Sequence, residues 1–206
     1  AGAGGQGALA IGGNIGSGPE GAIALGDGSS AVGANALAEG NNSSAFGNLA
    51  QARGEGSVAI GSFRDTGLLG STDEGARADE DWAVAVGANS LAGGEFSVAV
   101  GTDAAASSDL GIAVGASAVA SSQRATAIGA SASAEGTETS AFGVSSRAEG
   151  SNATAVGAGA TALSVEATAF GSSSSATAAN SLALGSGANA SEAAAIAIGN
   201  LAFSDQ

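Results

Sequence analysis

Ser97-Val98-Ala99-Val100-Gly101 is followed 14 residues on by Gly111-Ile112-Ala113-Val114-Gly115, and after 14 more by Ala125-Thr126-Ala127-Ile128-Gly129. Outward from this stretch the same pattern, small–apolar–Ala–apolar–Gly, ends at Gly12, Gly26, Gly33, Gly47, Gly61, Gly87, Gly101, Gly115, Gly129, Gly143, Gly157, Gly171, Gly185 and Gly199. Eleven of the thirteen intervals between these glycines are 14 residues; the other two are 7 and 26. A fixed short period decides the architecture before any single element is assigned, because it marks stacked copies of one supersecondary unit.

The phases inside the period identify the unit. Ala stands two residues before the glycine (Ala59, Ala99, Ala113, Ala127, Ala141, Ala155, Ala169, Ala183, Ala197) and again five residues after it (Ala92, Ala106, Ala120, Ala134, Ala148). Each period therefore holds two short segments alternating at period two, which is the pattern of strands bounded by turn residues. Ala favours helix, but each glycine in a helix interior costs about 1 kcal/mol, and here glycine recurs throughout. Two strands and two turns per coil, stacked at the inter-strand spacing of ~4.8 Å, make a parallel β-solenoid. So short a coil leaves a thin lumen suited to alanine. Alternation then sends Val58 and Ile60, Val98 and Val100, and Ile112 and Val114 to the outer face, as an exposed apolar stripe of the kind that marks an interface between identical chains. The reverse facing, with Val and Ile inward and Ala toward the partner, is the alternative.

Composition narrows the function. The chain has 206 residues, of which 53 are Ala and 36 Gly, and only 38 apolar residues are larger than Ala. There is no His and no Cys, and all five basic residues are Arg (Arg53, Arg64, Arg77, Arg124, Arg147). Histidine-based triads, thiol chemistry, imidazole or thiolate metal sites, the P-loop lysine and Schiff-base chemistry are thereby removed. No catalytic residue, cofactor or metal site is expected. A net charge of −14 opposes nucleic-acid binding, which depends on cations displacing counterions. No apolar run approaches the ~20 residues of a spanning helix. The chain opens on Ala1-Gly2-Ala3-Gly4-Gly5 without Met, and is read as a piece of a longer protein whose membrane anchor lies elsewhere.

Ser57-Val58-Ala59-Ile60-Gly61, Ser97-Val98-Ala99-Val100-Gly101 and Asn180-Ser181-Leu182-Ala183-Leu184-Gly185 resemble the head repeats of the YadA-like trimeric autotransporter adhesins. The resemblance runs from about Ala8 to Phe203, and the leading Asn of the family pattern is replaced at Gly56 and Phe96. It implies an all-β fold, a left-handed parallel β-roll of 14-residue coils assembled as a homotrimer. It also implies display at the bacterial cell surface, outer-membrane anchoring through another segment, and attachment to host extracellular-matrix or cell-surface proteins or glycans. With three chains implied, the outward stripe becomes the expected trimer interface: Val58, Ile60, Val84, Val86, Val98, Val100, Ile112, Val114, Ile128, Val156, Leu182, Leu184, Ile196 and Ile198.

Some features break the period. Counting back one coil from Gly87 leaves 12 extra residues, Ser62–Asp73, inserted into a single domain spanning residues 1–206. Solenoid insertions become loops on one face, often the binding face, so Phe63, Arg64, Leu68 and Leu69, together with the lone Trp82, form a candidate ligand-contact loop. The plainer reading has Leu68 and Leu69 packing on their own trimer, and Trp82 against the insertion or a neighbouring chain. The 7-residue interval from Asp27 to Gly33 reads as a deleted half-coil. Asp79-Glu80-Asp81 has the chemistry for a hard cation but reads more simply as a solvated turn. The arginines read as surface residues paired with nearby carboxylates, for example Arg147 with Glu149. Two other functions fit a solenoid: a passive spacer, and an ice-binding array, for which Thr126, Thr154 and Thr168 share a phase that Ser140 interrupts and Leu182 ends.

Overall fold

The computed structural model describes residues 1–13, 21–62 and 75–204; Phe63, Arg64, Leu68 and Leu69 lie outside the described residues. The chain divides into two compact units, Ala1–Ser107 and Ser108–Gln206. In the first unit, two-residue strands such as Leu37–Ala38, Gln51–Ala52, Arg77–Ala78 and Leu91–Ala92 alternate with three-residue strands such as Ser44–Phe46, Val58–Ile60, Val84–Val86 and Val98–Val100. Each strand pairs in parallel with its own kind one coil away, as in Val84↔Val98 and Leu91↔Ala105. The second unit repeats this with Ile112–Val114, Thr126–Ile128 and Ser140–Phe142 in one sheet and Val119–Ala120, Ser133–Ala134 and Arg147–Ala148 in the other. Both units are parallel β-solenoids. Strands this short are satisfied because every coil donates to, and accepts from, its neighbours.

Alanine fills the lumen. All 38 buried apolar residues among the described residues are alanines, and no larger apolar side chain is enclosed. In every three-residue strand after Leu9–Ile11, whose Ala10 is only half-buried, the middle alanine is buried and its two neighbours face outward, as Val58 and Ile60 flank Ala59. Burial thus selects the alanine-inward facing and excludes its reverse. At six of the nine buried Ser and Thr positions the hydroxyl donates to the carbonyl three residues earlier, as Ser57 to Gly54 (2.8 Å), Thr139 to Gly136 (2.7 Å) and Ser174 to Gly171 (2.8 Å), whereas Ser29 and Ser43 Oγ have no partner among the described residues. Such a bond removes most of the penalty for burying a hydroxyl.

Two turns close each coil. A leading turn precedes the three-residue strand, as Gly54–Ser57 with Ser57 N–H donating to Gly54 O at 3.3 Å; a trailing turn follows it, as Gly47–Ala50 with Ala50 N–H donating to Gly47 O at 3.4 Å. The third residue of each turn is left-handed, and 19 of these are not glycine, including Trp82 (φ 58°), Phe96 (φ 56°) and Leu49 (φ 59°). This conformation turns the central peptide of the turn along the stacking direction. Trp82 N–H donates to Glu55 O (2.8 Å), Phe96 N–H to Asp81 O (3.0 Å) and Leu49 N–H to Ala34 O (3.0 Å), each one coil back. The ladder of turn peptides offsets a left-handed penalty of about 1–2 kcal/mol per residue.

The periodic glycine opens the trailing turn. Thirteen of the fourteen, from Gly12 (φ 152°) through Gly61 (φ 151°) to Gly199 (φ 125°), have positive φ. Gly26 is the exception. It opens a leading turn, with Ser29 N–H donating to Gly26 O at 3.1 Å, and follows the two-residue strand Ile23–Ala24. The expected half-coil deletion between Asp27 and Gly33 is therefore corrected: Ile11 pairs with Val32, so the coil there is seven residues longer than the others, not shorter. Seven residues equal half a period, which places an apolar–Ala–apolar–Gly tetrapeptide of the wrong strand in nearly the right phase.

The second irregularity follows the sequence reading. Val58 pairs with Val84, an offset of 26, twelve more than a coil. Ala76 N–H still donates to Gly61 O at 3.4 Å, closing the trailing turn across the interruption. Gly12 and Gly61 both open trailing turns, so both lengthened connections leave the same edge of the first unit.

Candidate functional site

Three surfaces are formed by the outward positions. On the outer face of the three-residue sheet, the position before the glycine is apolar in every coil: Ile11, Val32, Phe46, Ile60, Val86 and Val100 in the first unit, and Val114, Ile128, Phe142, Val156, Phe170, Leu184 and Ile198 in the second. The other outward position is mixed, with Val58, Val84 and Val98 in register in the first unit but Thr126, Ser140, Thr154 and Thr168 in register in the second. The fourteen residues expected at the trimer interface all lie on this face, half-buried or exposed, Ile60 at 42% and Ile198 at 64% among them. Ile11, Val32, Phe46, Phe142 and Phe170 belong to the same rank and were missing from that set. Their place immediately before a period glycine was the signal that would have found them.

The outer face of the two-residue sheet is mixed: in the first unit Ile23, Leu37 and Leu91 stand in register with Gln51 and Arg77, and the charged residues on it are paired. Arg53 Nη1 reaches Asp79 Oδ1 at 2.6 Å, Arg77 Nη2 reaches Asp79 Oδ2 at 2.7 Å, and Arg53 Nε lies 3.6 Å from Glu39 Oε2. Arg147 pairs with Glu149, as the sequence suggested. Asp79 ties together the coils on either side of the twelve-residue lengthening, a partnership between residues 26 apart that no local reading finds. With Asp79 at 21% side-chain exposure, the network is partly screened by solvent. Asp79→Asn is expected to lower unfolding free energy by about 1 kcal/mol, measured by urea denaturation, and the difference should shrink in 1 M salt. An unchanged midpoint at low salt would remove the network from the account of stability.

The third surface is the edge of leading turns. Trp82 and Phe96 occupy the same position in consecutive coils, each 51% exposed. The Trp82 ring lies on Gly56 of the preceding coil, where an added Cβ would come within 2.5 Å of the ring carbons. Trp82 is thus on the leading edge, whereas Gly61 and Gly75, on either side of the insertion, are on the trailing side. Asp79-Glu80-Asp81 does not converge: Asp79 faces the arginines, and Asp81 Oδ1 accepts from Glu55 N–H at 2.7 Å. Asp27 Oδ1 accepts likewise from Gln6 N–H, also at 2.7 Å. Among the described residues no group of three or more acidic residues is placed to hold a metal ion, and no helix is long and apolar enough to cross a membrane.

These coils match the family model of the YadA head domain repeat (2 copies) at residues 20–36, 38–63, 83–104, 106–132, 134–160, 162–188 and 176–202. The chain belongs to the YadA head family. Among solved structures, this YadA-like head is similar to the collagen-binding domain of the Yersinia adhesin YadA, with 30% identity, a TM-score of 0.56, and coverage of 73% of this chain and 76% of that one. A comparison with curated proteins finds no significant match. Membership accounts for the solenoid, the coil length and the phase of the glycines together.

Proposed function

We propose that this YadA-like head is the adhesive, non-catalytic part of a bacterial surface fibre. It works as a left-handed homotrimer whose chains cover one another's apolar outer faces, and it binds host extracellular-matrix or cell-surface molecules. Residues 1–206 act as one head, held at the outer membrane by a segment beyond it. The observation that carries this reading is the pairing of a lumen whose buried apolar side chains are all alanine with an unbroken outward apolar rank in each unit. A methyl-lined lumen supplies about 0.8 kcal/mol per buried carbon, whereas the outward Val, Ile, Leu and Phe hold about 1.5–3 kcal/mol each, released only when a partner covers them. The likeness to a collagen-binding domain makes triple-helical collagen the first ligand to test. Three chains of near-identical coils would present many weak contacts at once, and such avidity exceeds single-site affinity by ~10²–10⁴ where geometry permits.

The test is solid-phase binding of the head, and of a form lacking Ser62–Asp73, to immobilised collagen, fibronectin and laminin. Saturable binding to at least one is the expected result. Equal binding by the shortened form would dismiss the insertion, with Phe63, Arg64, Leu68 and Leu69, as a contact loop. A trimeric head that binds none of them would instead be a spacer.

A further inference from the structure

We propose that the leading-turn edge of the first unit docks an extended, arginine-rich polypeptide. The turn tips on this edge carry Asp27, Glu55, Glu80, Asp81 and Glu95, all exposed, and the leading turns of this unit contain no basic residue. The nearest cation, Arg53, is turned to Asp79 and Glu39 on the two-residue sheet. Within this acidic strip stand Trp82 and Phe96, on consecutive coils. The equivalent positions of the two coils before them hold Asn42 and Gly56, residues that adopt the left-handed conformation readily; Trp82 and Phe96 hold it with large side chains, φ 58° and 56°. Part of the six-membered ring of Trp82 lies against Gly56, and at 51% exposure much of the side chain stays open to solvent.

Carboxylates at coil spacing beside open aromatic rings suit guanidinium better than ammonium. A guanidinium stacks on a ring through its planar face and forks onto a carboxylate through its edge. An extended segment can set successive side chains against successive turns, because the tips recur at ~4.8 Å along the edge. A divalent cation fits less well, since Asp81 is engaged with the Glu55 amide and the acids do not gather around a point.

Trp82 is the chain's single tryptophan, so its emission reports this edge alone. The intact chain is titrated with nona-arginine, with nona-lysine and with a glycine–serine peptide of equal length. Nona-arginine is expected to shift Trp82 emission saturably, several-fold more tightly than nona-lysine, and progressively less as salt rises. By calorimetry, Trp82→Asn and Phe96→Asn, which install the residue already tolerated at Asn42, should each weaken binding about three- to five-fold. Glu55→Gln with Glu95→Gln should weaken it more than Glu166→Gln with Glu192→Gln, which removes equal charge in the second unit. The proposal is overturned if Trp82 emission is unmoved at saturating nona-arginine, if the two glutamine pairs weaken binding equally, or if Ca²⁺ alone reproduces the emission change.

Discussion

A head carrying Val86→Asp and Val100→Asp is expected to leave the assembled state and lose its cooperative thermal transition. The two residues are in register on adjacent coils of the first unit, within the rank that is apolar in every coil. In the proposed trimer, two valines in each of three chains, at about 2 kcal/mol apiece, amount to about 12 kcal/mol in lost burial alone. Six carboxylates brought toward one interface would add desolvation and mutual repulsion. Light scattering gives the mass, and circular dichroism the folded fraction. Damage to the lumen does not account for this outcome, since neither side chain points inward. A well-folded monomer, before or after the change, would falsify the interface.

Gly143→Ala is expected to destabilise the second unit by more than about 3 kcal/mol, while Gly159→Ala, at a neighbouring turn position, costs about 1 kcal/mol or less. Gly143 has φ 132°, a region closed to residues with a Cβ, and an added Cβ would lie 2.5 Å from Gly157 O. Gly159 has φ 66°, and the nearest atom to an added Cβ is Ser173 Oγ at 3.7 Å. Ser145 and Ser173 already occupy the same turn position one coil either side, at φ 56° and 55°. Close approach between coils is not the deciding factor: Glu80 and Ser108 take the opening position of leading turns, where Gly40 and Gly54 also stand against the next coil. Backbone conformation separates the two classes, which is why the trailing position is glycine in all thirteen coils. Equal midpoints for the two variants in urea denaturation would sink this explanation of the period.

The first expectation rests on features readable before any coordinates, whereas the second needs the backbone conformation at Gly143 and Gly159. Alternation about Ala59, Ala99 and Ala127 placed alanine on one side of every strand, and the volume of so short a coil favoured that side as the inner one. The interface rank was read from the same alternation, though not in every coil. Ile11, Val32, Phe46, Phe142 and Phe170 fit the phase equally well, and the phase alone, followed through every coil, would have included them.

The sequence by itself determined the period, the two-strand coil, the parallel stacking and the separation of methyls from branched aliphatics, because each is a local consequence of side-chain alternation repeated many times. Tertiary structure alone decided matters that depend on which coil lies next to which. It moved Gly26 from one turn to the other, since a seven-residue lengthening imitates half a period and only the pairing of Ile11 with Val32 tells the two apart. It joined Arg53 to Asp79 across the lengthened connection. It also placed Trp82 against Gly56 on the leading edge. Position along the chain specifies phase within a coil, whereas contact between coils is specified only once the number of residues in every turn is spent in three dimensions.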